Sequence, residues 1–229
     1  MKKTLQIAID GPVGAGKSTV ARQLAERLGL WHLDTGAMYR AVAHLTIKEE
    51  IEPGEEEKIL GLLKKGRLKF LLGNRRRFGV FLDGVEITDQ IRSEAVRSVV
   101  TQIAQLAKVR KRLVGWQRRM VRGKRVVMEG RDIGTRVLPG ALVKIFLTGK
   151  FQERAKRKYL EIRRRRGKIN FEDLCLEIKK RDRKDRQRKI DPLRKAEDAV
   201  VIDTTNLNIE GVLKKIMEIV KERRKGERR

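Results

Sequence analysis

Gly11, Gly16, Lys17 and Ser18 stand at the fixed places of G-x-x-x-x-G-K-[ST] in the segment Gly11-Pro12-Val13-Gly14-Ala15-Gly16-Lys17-Ser18-Thr19. Such a pattern serves phosphates. The glycine-rich turn lets backbone N–H groups approach an anion, and a helix opening behind it adds its positive end. Lys17 would reach the β- and γ-phosphates of ATP, and the Ser18 hydroxyl would ligate Mg²⁺. Switches, motors and kinases share this loop, so the acceptor must be read from the rest of the chain.

Three groups of polar residues follow expected strand ends, where ligands sit in an open parallel sheet. They are Asp34-Thr35-Gly36 with Arg40 shortly after, Glu129-Gly130-Arg131-Asp132, and the segment entering a basic region near 150. Two polyanions held in line need several cations, and Arg40 and Arg131 would supply them at an acceptor phosphate. Arg181, Asp185 and Arg188 fall at i, i+4 and i+7 of a helix through KKRDRKDRQR, presenting two guanidinium groups around one carboxylate. An exposed salt-bridge ladder has the same spacing.

The elements that must position these residues are those of an α/β fold. The apolar run LQIAID at 5–10 predicts a buried parallel strand feeding a helix at 17–28. Runs at 125–128, 142–147 and 199–203 alternate with helical patterns, as crossover connections require. The fold class expected is a P-loop NTPase core, a parallel sheet flanked by helices, carrying a small antiparallel β insert and a helical lid. The insert is read at roughly 67–92 around an Asp83-Gly84 turn. From 150 to 190 the text reads as a basic helical hairpin: a run from Arg163 to Arg166 ends at Gly167, and Asn170 caps a new helix at Phe171 with Asp173 near its positive end. The polar tail from Lys221 to Arg229 is expected to fray.

Composition narrows the partners. The net charge of +27, from 57 Lys and Arg against 30 Asp and Glu, attracts nucleotides, RNA or acidic lipid, and does not choose among them. Aromatics at 4% are few for a surface that stacks bases, which argues against nucleic acid as the main partner. Nothing approaches the ~20 apolar residues of a membrane span, and Met-Lys-Lys-Thr is followed by a short apolar run and the glycine loop instead of a signal-cleavage pattern, so a cytoplasmic protein is expected; it is taken as a monomer. Cys175, inside the apolar periodicity of FEDLCLEIKK, is read as a buried structural thiol. His32 and His44 cannot build a histidine-rich metal site by themselves and are read as packing or surface residues.

Taken in order, IDGPVGAGKST (9–19), LDTGAMYRA (33–41), EGRDIGT (129–135), KIFLTG (144–149) and RDRKDRQR (181–188) resemble the bacterial cytidylate kinase family from Leu5 to about Val220. The resemblance implies one nucleoside monophosphate kinase domain over 1–229, with a monophosphate-binding insert at ~67–92 and a short lid at ~150–170. It implies transfer of the γ-phosphate of ATP to CMP or dCMP with Mg²⁺ as cofactor. Lys17, Arg131 and Arg188 become the candidate catalytic side chains, and Gly11 to Thr19 the ATP loop. Thr35, Arg40 and Arg131 are implied at the CMP phosphate with Arg188 beside them, Arg181 and Asp185 at the sugar hydroxyls, and Thr101, Arg110 and Asp132 at the cytosine edge. Thr35 and Thr101 stand where the family commonly has Ser, and Glu129 where it often has Asp; each retains a hydroxyl or a carboxylate. Thr101 and Arg110 would point to opposite faces of one unbroken helix, and Ala107-Lys108 stands where family members often carry proline, so a helix break is expected near Leu106 to Lys108. A kinase acting on UMP, AMP or a metabolite hydroxyl, and an ATP-gated RNA-binding protein, are the alternatives.

Overall fold

A computed structural model of the chain describes residues 4–73, 78–164 and 168–226. Arg165, Arg166 and Gly167 of the expected basic run, part of the expected insert at 74–77, and the last three residues lie outside the described residues. The chain opens with β1 (Gln6–Asp10), α1 (Lys17–Leu28), β2 (Trp31–Asp34), α2 (Thr35–Lys48) and α3 (Glu56–Lys64). Then come β3 (Leu68–Leu72), β4 (Phe78–Leu82), β5 (Val85–Glu86), α4 (Glu94–Ile103) and α5 (Ala107–Val121). It continues through β6 (Val126–Gly130), β7 (Val143–Thr148), α6 (Phe151–Arg164), α7 (Phe171–Gln187), β8 (Val200–Asp203) and α8 (Ile209–Gly226). These elements form two compact units, Met1–His32 with Gly123–Arg229, and Leu33–Arg122.

The first unit is built on a five-stranded sheet in the order β2-β6-β1-β7-β8. β1 pairs in parallel with both β6 and β7, and β7 with β8, as the apolar runs predicted. Because its neighbours come later in the chain on either side, β1 is where the strand order turns, and the glycine loop leaves its carboxyl end. Register makes the arrangement specific. Asp10 lies opposite Gly130, so the loop and Arg131-Asp132 depart from adjacent strand tips although 120 residues separate them. Ile7, Ile9, Val127, Ile145, Leu147 and Ile202 of the sheet are buried with Val20 and Leu24 of α1 and with Leu213 and Ile216 of α8. Each such side chain contributes roughly 1.5–3 kcal/mol by leaving water.

The C-terminal helix corrects one expectation. Lys221 to Gly226 do not fray but continue α8, because Val212, Leu213, Ile216 and Val220 anchor its apolar face and an anchored helix extends at little cost. The helical hairpin is present as α6 and α7, and Asn170 Oδ1 accepts from the N–H groups of Glu172 and Asp173 at 2.7 and 3.3 Å. α7 stops at Gln187, so Arg188 is not on its face as expected; its ψ of 131° ends the helix. Cys175 is only partly buried, packed at the side of the cluster of Leu174 and Ile178 instead of inside it.

In the second unit β3, β4 and β5 form the expected antiparallel meander. Asp83 at φ 52° and Gly84 at φ 84° make its second turn, the geometry that matches the twist of two-residue hairpins. Arg67 ties that turn down, donating to both oxygens of Asp83 and to Glu49 at 2.7 Å. The expected helix break is present as Ala104-Gln105-Leu106 between α4 and α5, slightly earlier than predicted and without a proline.

Candidate active site

Lys17 opens α1 and is 6% exposed. Its ammonium donates to the Pro12 carbonyl at 2.7 Å. Burial, reinforced by the Arg131 charge, pushes its pKa down to about 7, against the opposing pull of Glu129 and Asp185 and with a further push from Arg181. The next residue faces the same carboxylate: Ser18 Oγ donates to Glu129 Oε2 at 2.7 Å. The other oxygen of Glu129 lies 3.1 Å from His32 Nε2, so His32 is a partner of the site residue Glu129 and not merely packing.

On the β6 side, Arg131 Nε donates to Asp185 Oδ2 at 2.8 Å. Arg188 Nη1 lies 3.7 Å from Asp185 Oδ1, while its other nitrogens donate to the carbonyls of Ile190 (2.7 Å) and Asp191. The structure gathers Lys17, Arg131, Asp185 and Arg188; the guanidinium groups beside Asp185 are those of Arg131, from the end of β6, and of Arg188, beyond the end of α7, in place of the single helix face expected. Burial pushes the Asp185 carboxyl up, but Arg131, Arg181 and Arg188 outweigh it and leave the group below the usual carboxylate range. Asp132, 5% exposed, follows Arg131 and begins a wide helical turn at Ile133–Val137, where Val137 N–H reaches back five residues to the Asp132 carbonyl.

Within the second unit Asp34 caps α2, accepting from Ala37 N–H at 3.0 Å, while its other oxygen accepts from Arg40 Nη2 at 2.7 Å. Arg92 approaches the same oxygen at 3.7 Å. The buried Nε of Arg40 lacks a hydrogen-bond partner in the protein. Thr35 is buried at the first position of α2. Arg110, 1% exposed, folds back over the α4–α5 break to donate to the Ala104 carbonyl at 3.2 Å and lies 5.4 Å above the Tyr39 ring. Thr101 sits in the last turns of α4.

The sequence matches the Cytidylate kinase family over residues 7–222. The chain belongs to the cytidylate kinase family. It is therefore a nucleoside monophosphate phosphotransferase. A cytidylate kinase of Caldicellulosiruptor bescii is 47% identical over 217 residues, covering 95% of this chain and 96% of that protein. One of Bacillus subtilis is 44% identical over 223 residues, covering 97% of this chain and 99% of its own length. A crystal structure of an uncharacterized protein from Eubacterium ventriosum resembles the fold with a TM-score of 0.53 at 14% identity, over 95% of this chain and 99% of that one. No described helix is long and apolar enough to cross a membrane.

One residue beside these groups in this cytidylate kinase escaped the sequence reading. Asp10 accepts from the N–H groups of Ile133 and Gly134 at 2.8 Å each, and so ties the tip of β1 to the turn behind Asp132. Its only signal was its place directly before the glycine loop. Burial pushes the Asp10 carboxyl up to about 6, aided by Asp132 and opposed by the two N–H groups and by Lys17. The folded protein holds this proton more tightly than the unfolded chain, so the stability Asp10 contributes is full below the model-compound value of 3.8 and declines as pH rises through about 6. Urea unfolding between about pH 4 and pH 7 should show this decline, roughly 3 kcal/mol, in the parent protein and not in Asp10→Asn. An identical pH dependence in both would remove the assignment.

Proposed function

We propose that this chain transfers the γ-phosphoryl group of ATP to CMP or dCMP, acting as a cytoplasmic monomer. The observation that carries the reading is Lys17 and Arg131 beside the tips of β1 and β6, with Asp185 holding Arg131 in place and Arg188 beside the same carboxylate. The bond from the β–γ bridging oxygen to the γ-phosphorus breaks, and a phosphate oxygen of the monophosphate takes its place. The nucleophile is already an anion, so positioning and charge stabilisation supply the catalysis. Gly11 to Thr19 receive the ATP phosphates, with Lys17 at the β- and γ-oxygens. Arg131, Arg188, Arg40 and Thr35 serve the CMP phosphate, Arg181 and Asp185 the sugar hydroxyls.

The donor set also fits Mg²⁺. A hydroxyl and a carboxylate, Ser18 Oγ and Glu129 Oε2, lie 2.7 Å apart. These are hard oxygens of the kind that hold Mg²⁺ together with substrate phosphates. Bound there, the ion would neutralise charge on the β- and γ-phosphates. His32, on the far oxygen of Glu129, orients that carboxylate.

Asp132, Arg110 and Thr101 are proposed at the cytosine edge. A carboxylate accepts from the exocyclic amine of cytosine, whereas uracil offers only a carbonyl there. ADP release measured in parallel with CMP, dCMP, UMP and AMP tests the activity, and CMP or dCMP should be turned over fastest. Asp132→Ala should reduce preference for CMP over UMP about tenfold or more with little change in the KM for ATP. An unchanged ratio would remove Asp132 from the base site, and faster turnover of UMP or AMP by the parent would overturn the acceptor.

A further inference from the structure

One guanidinium and one carboxylate, both buried, grip the peptide groups on either side of Val13. Asp182 Oδ1 accepts from the Val13 N–H at 3.2 Å, and Arg154 Nη1 donates to the Val13 carbonyl at 2.7 Å. The same Nη1 donates to Asp182 Oδ2 at 2.7 Å, while Arg154 Nε donates to the Gly149 carbonyl at 3.0 Å. Arg154 is 5% exposed and Asp182 8%. The Val13 side chain is packed with Ala155 and Ile162 of α6 and with Leu174 and Ile178 of α7. At the next residue, Gly14 at φ 74°, a Cβ would overlap the carbonyl oxygen of Arg154, so the α6 backbone itself lies against the glycine loop.

These bonds engage the loop's own peptide groups. They fix its shape by satisfying the one N–H and one C=O of Val13 with two fully committed side chains. Burying an ion pair costs as much desolvation as it returns in attraction, so its use here is better explained by geometry than by stability. Asp185, three residues beyond Asp182 and so about one turn along α7, holds Arg131 in turn.

We propose that Arg154 and Asp182 are positioning residues for ATP: they hold the glycine loop from behind in its phosphate-receiving shape, making α6 and α7 part of the donor site. This rests on the activity proposed above. Neither residue touches the reacting atoms; they act through the Val13 peptide groups, whose displacement would misalign the N–H groups that receive phosphate.

The test uses the full-length enzyme. In Asp182→Asn the amide can accept from Val13 or from Arg154, but turns its N–H₂ toward the other. The KM for ATP should rise about tenfold or more, while the KM for CMP changes less than about twofold. The double variant Arg154→Met with Asp182→Leu replaces the pair by apolar groups and keeps the packing, so it should fold and show the same split. Calorimetric titration with ADP should give an affinity weakened about tenfold in each folded variant. Parent-like ADP affinity in a folded variant, or an equal rise in both KM values, would overturn the proposal. If Asp182→Asn fails to fold, the double variant decides. A parent protein that binds ADP but phosphorylates neither CMP nor dCMP refutes the activity, and the ADP comparison still decides the role of the pair.

Discussion

Lys17→Met should lower turnover of CMP by roughly a thousandfold while the protein keeps its fold and gains stability near neutral pH. The substitution keeps the apolar stem and deletes the ammonium. Lys17 is 6% exposed, and its ammonium donates to the Pro12 carbonyl. Its environment favours the neutral amine, as the pKa of about 7 records, so without phosphates the charge destabilises the fold. Glu129 and Asp185 offset only part of that cost, and in the proposed reaction the phosphate oxygens of ATP would offset the rest. Below about 7 the lysine is charged in both folded and unfolded chains and the cost is fully present; it vanishes as pH rises to the model-compound value of 10.5. The advantage of Lys17→Met in urea unfolding should therefore shrink between those limits. Turnover within about tenfold of the parent would remove Lys17 from the γ-phosphate.

The second large effect is expected at Arg131. Arg131→Ala should cut kcat/KM for CMP by about a thousandfold, the scale of losing an arginine that neutralises a transferring phosphoryl group. Unlike the lysine variant it should also cost stability, about 3 kcal/mol, since the Asp185 side chain is 8% exposed and loses its hydrogen-bonded partner. The Asp185 carboxyl is held below the ordinary range with Arg131 as the foremost opposing charge, so the stability it contributes is present above about 3.8 and is lost as pH falls. The difference between parent and variant should narrow accordingly on acidification. Arg131→Lys should restore little of the activity, because a point charge does not reproduce a guanidinium that bonds Asp185 through Nε and the Gly130 carbonyl through Nη1. Full rescue by lysine would reduce Arg131 to a source of positive field.

Together the two variants separate two kinds of cation. Lys17 is buried against its own preference, whereas Arg131 is compensated by Asp185.

Local interactions were legible in the residues themselves. The glycine loop between an apolar run and a helix, the parallel-strand runs, the Asp83-Gly84 turn and the Asn170 cap all depend on neighbours within a few positions, so one stretch of text contains both partners. The broken helix before Arg110 was implied by the family resemblance, which places Thr101 and Arg110 at one site although a continuous helix would turn them to opposite faces.

What the tertiary structure alone decided are pairings across the chain. The Asp10 to Gly130 register puts Arg131 at the mouth of the glycine loop, yet nothing in either segment encodes the other's offset. Asp182 looks like one more charge in KKRDRKDRQR, and Arg154 like one more in a basic helix, until α6 and α7 fold against Val13 and bury both. The reason is physical: sequence periodicity reports which face of a helix is apolar, whereas the partner of a buried charge is fixed only when packing removes water and leaves a single group within hydrogen-bond reach. The sequence by itself determined what this protein can hold; the folded arrangement decided which charges are free to hold it.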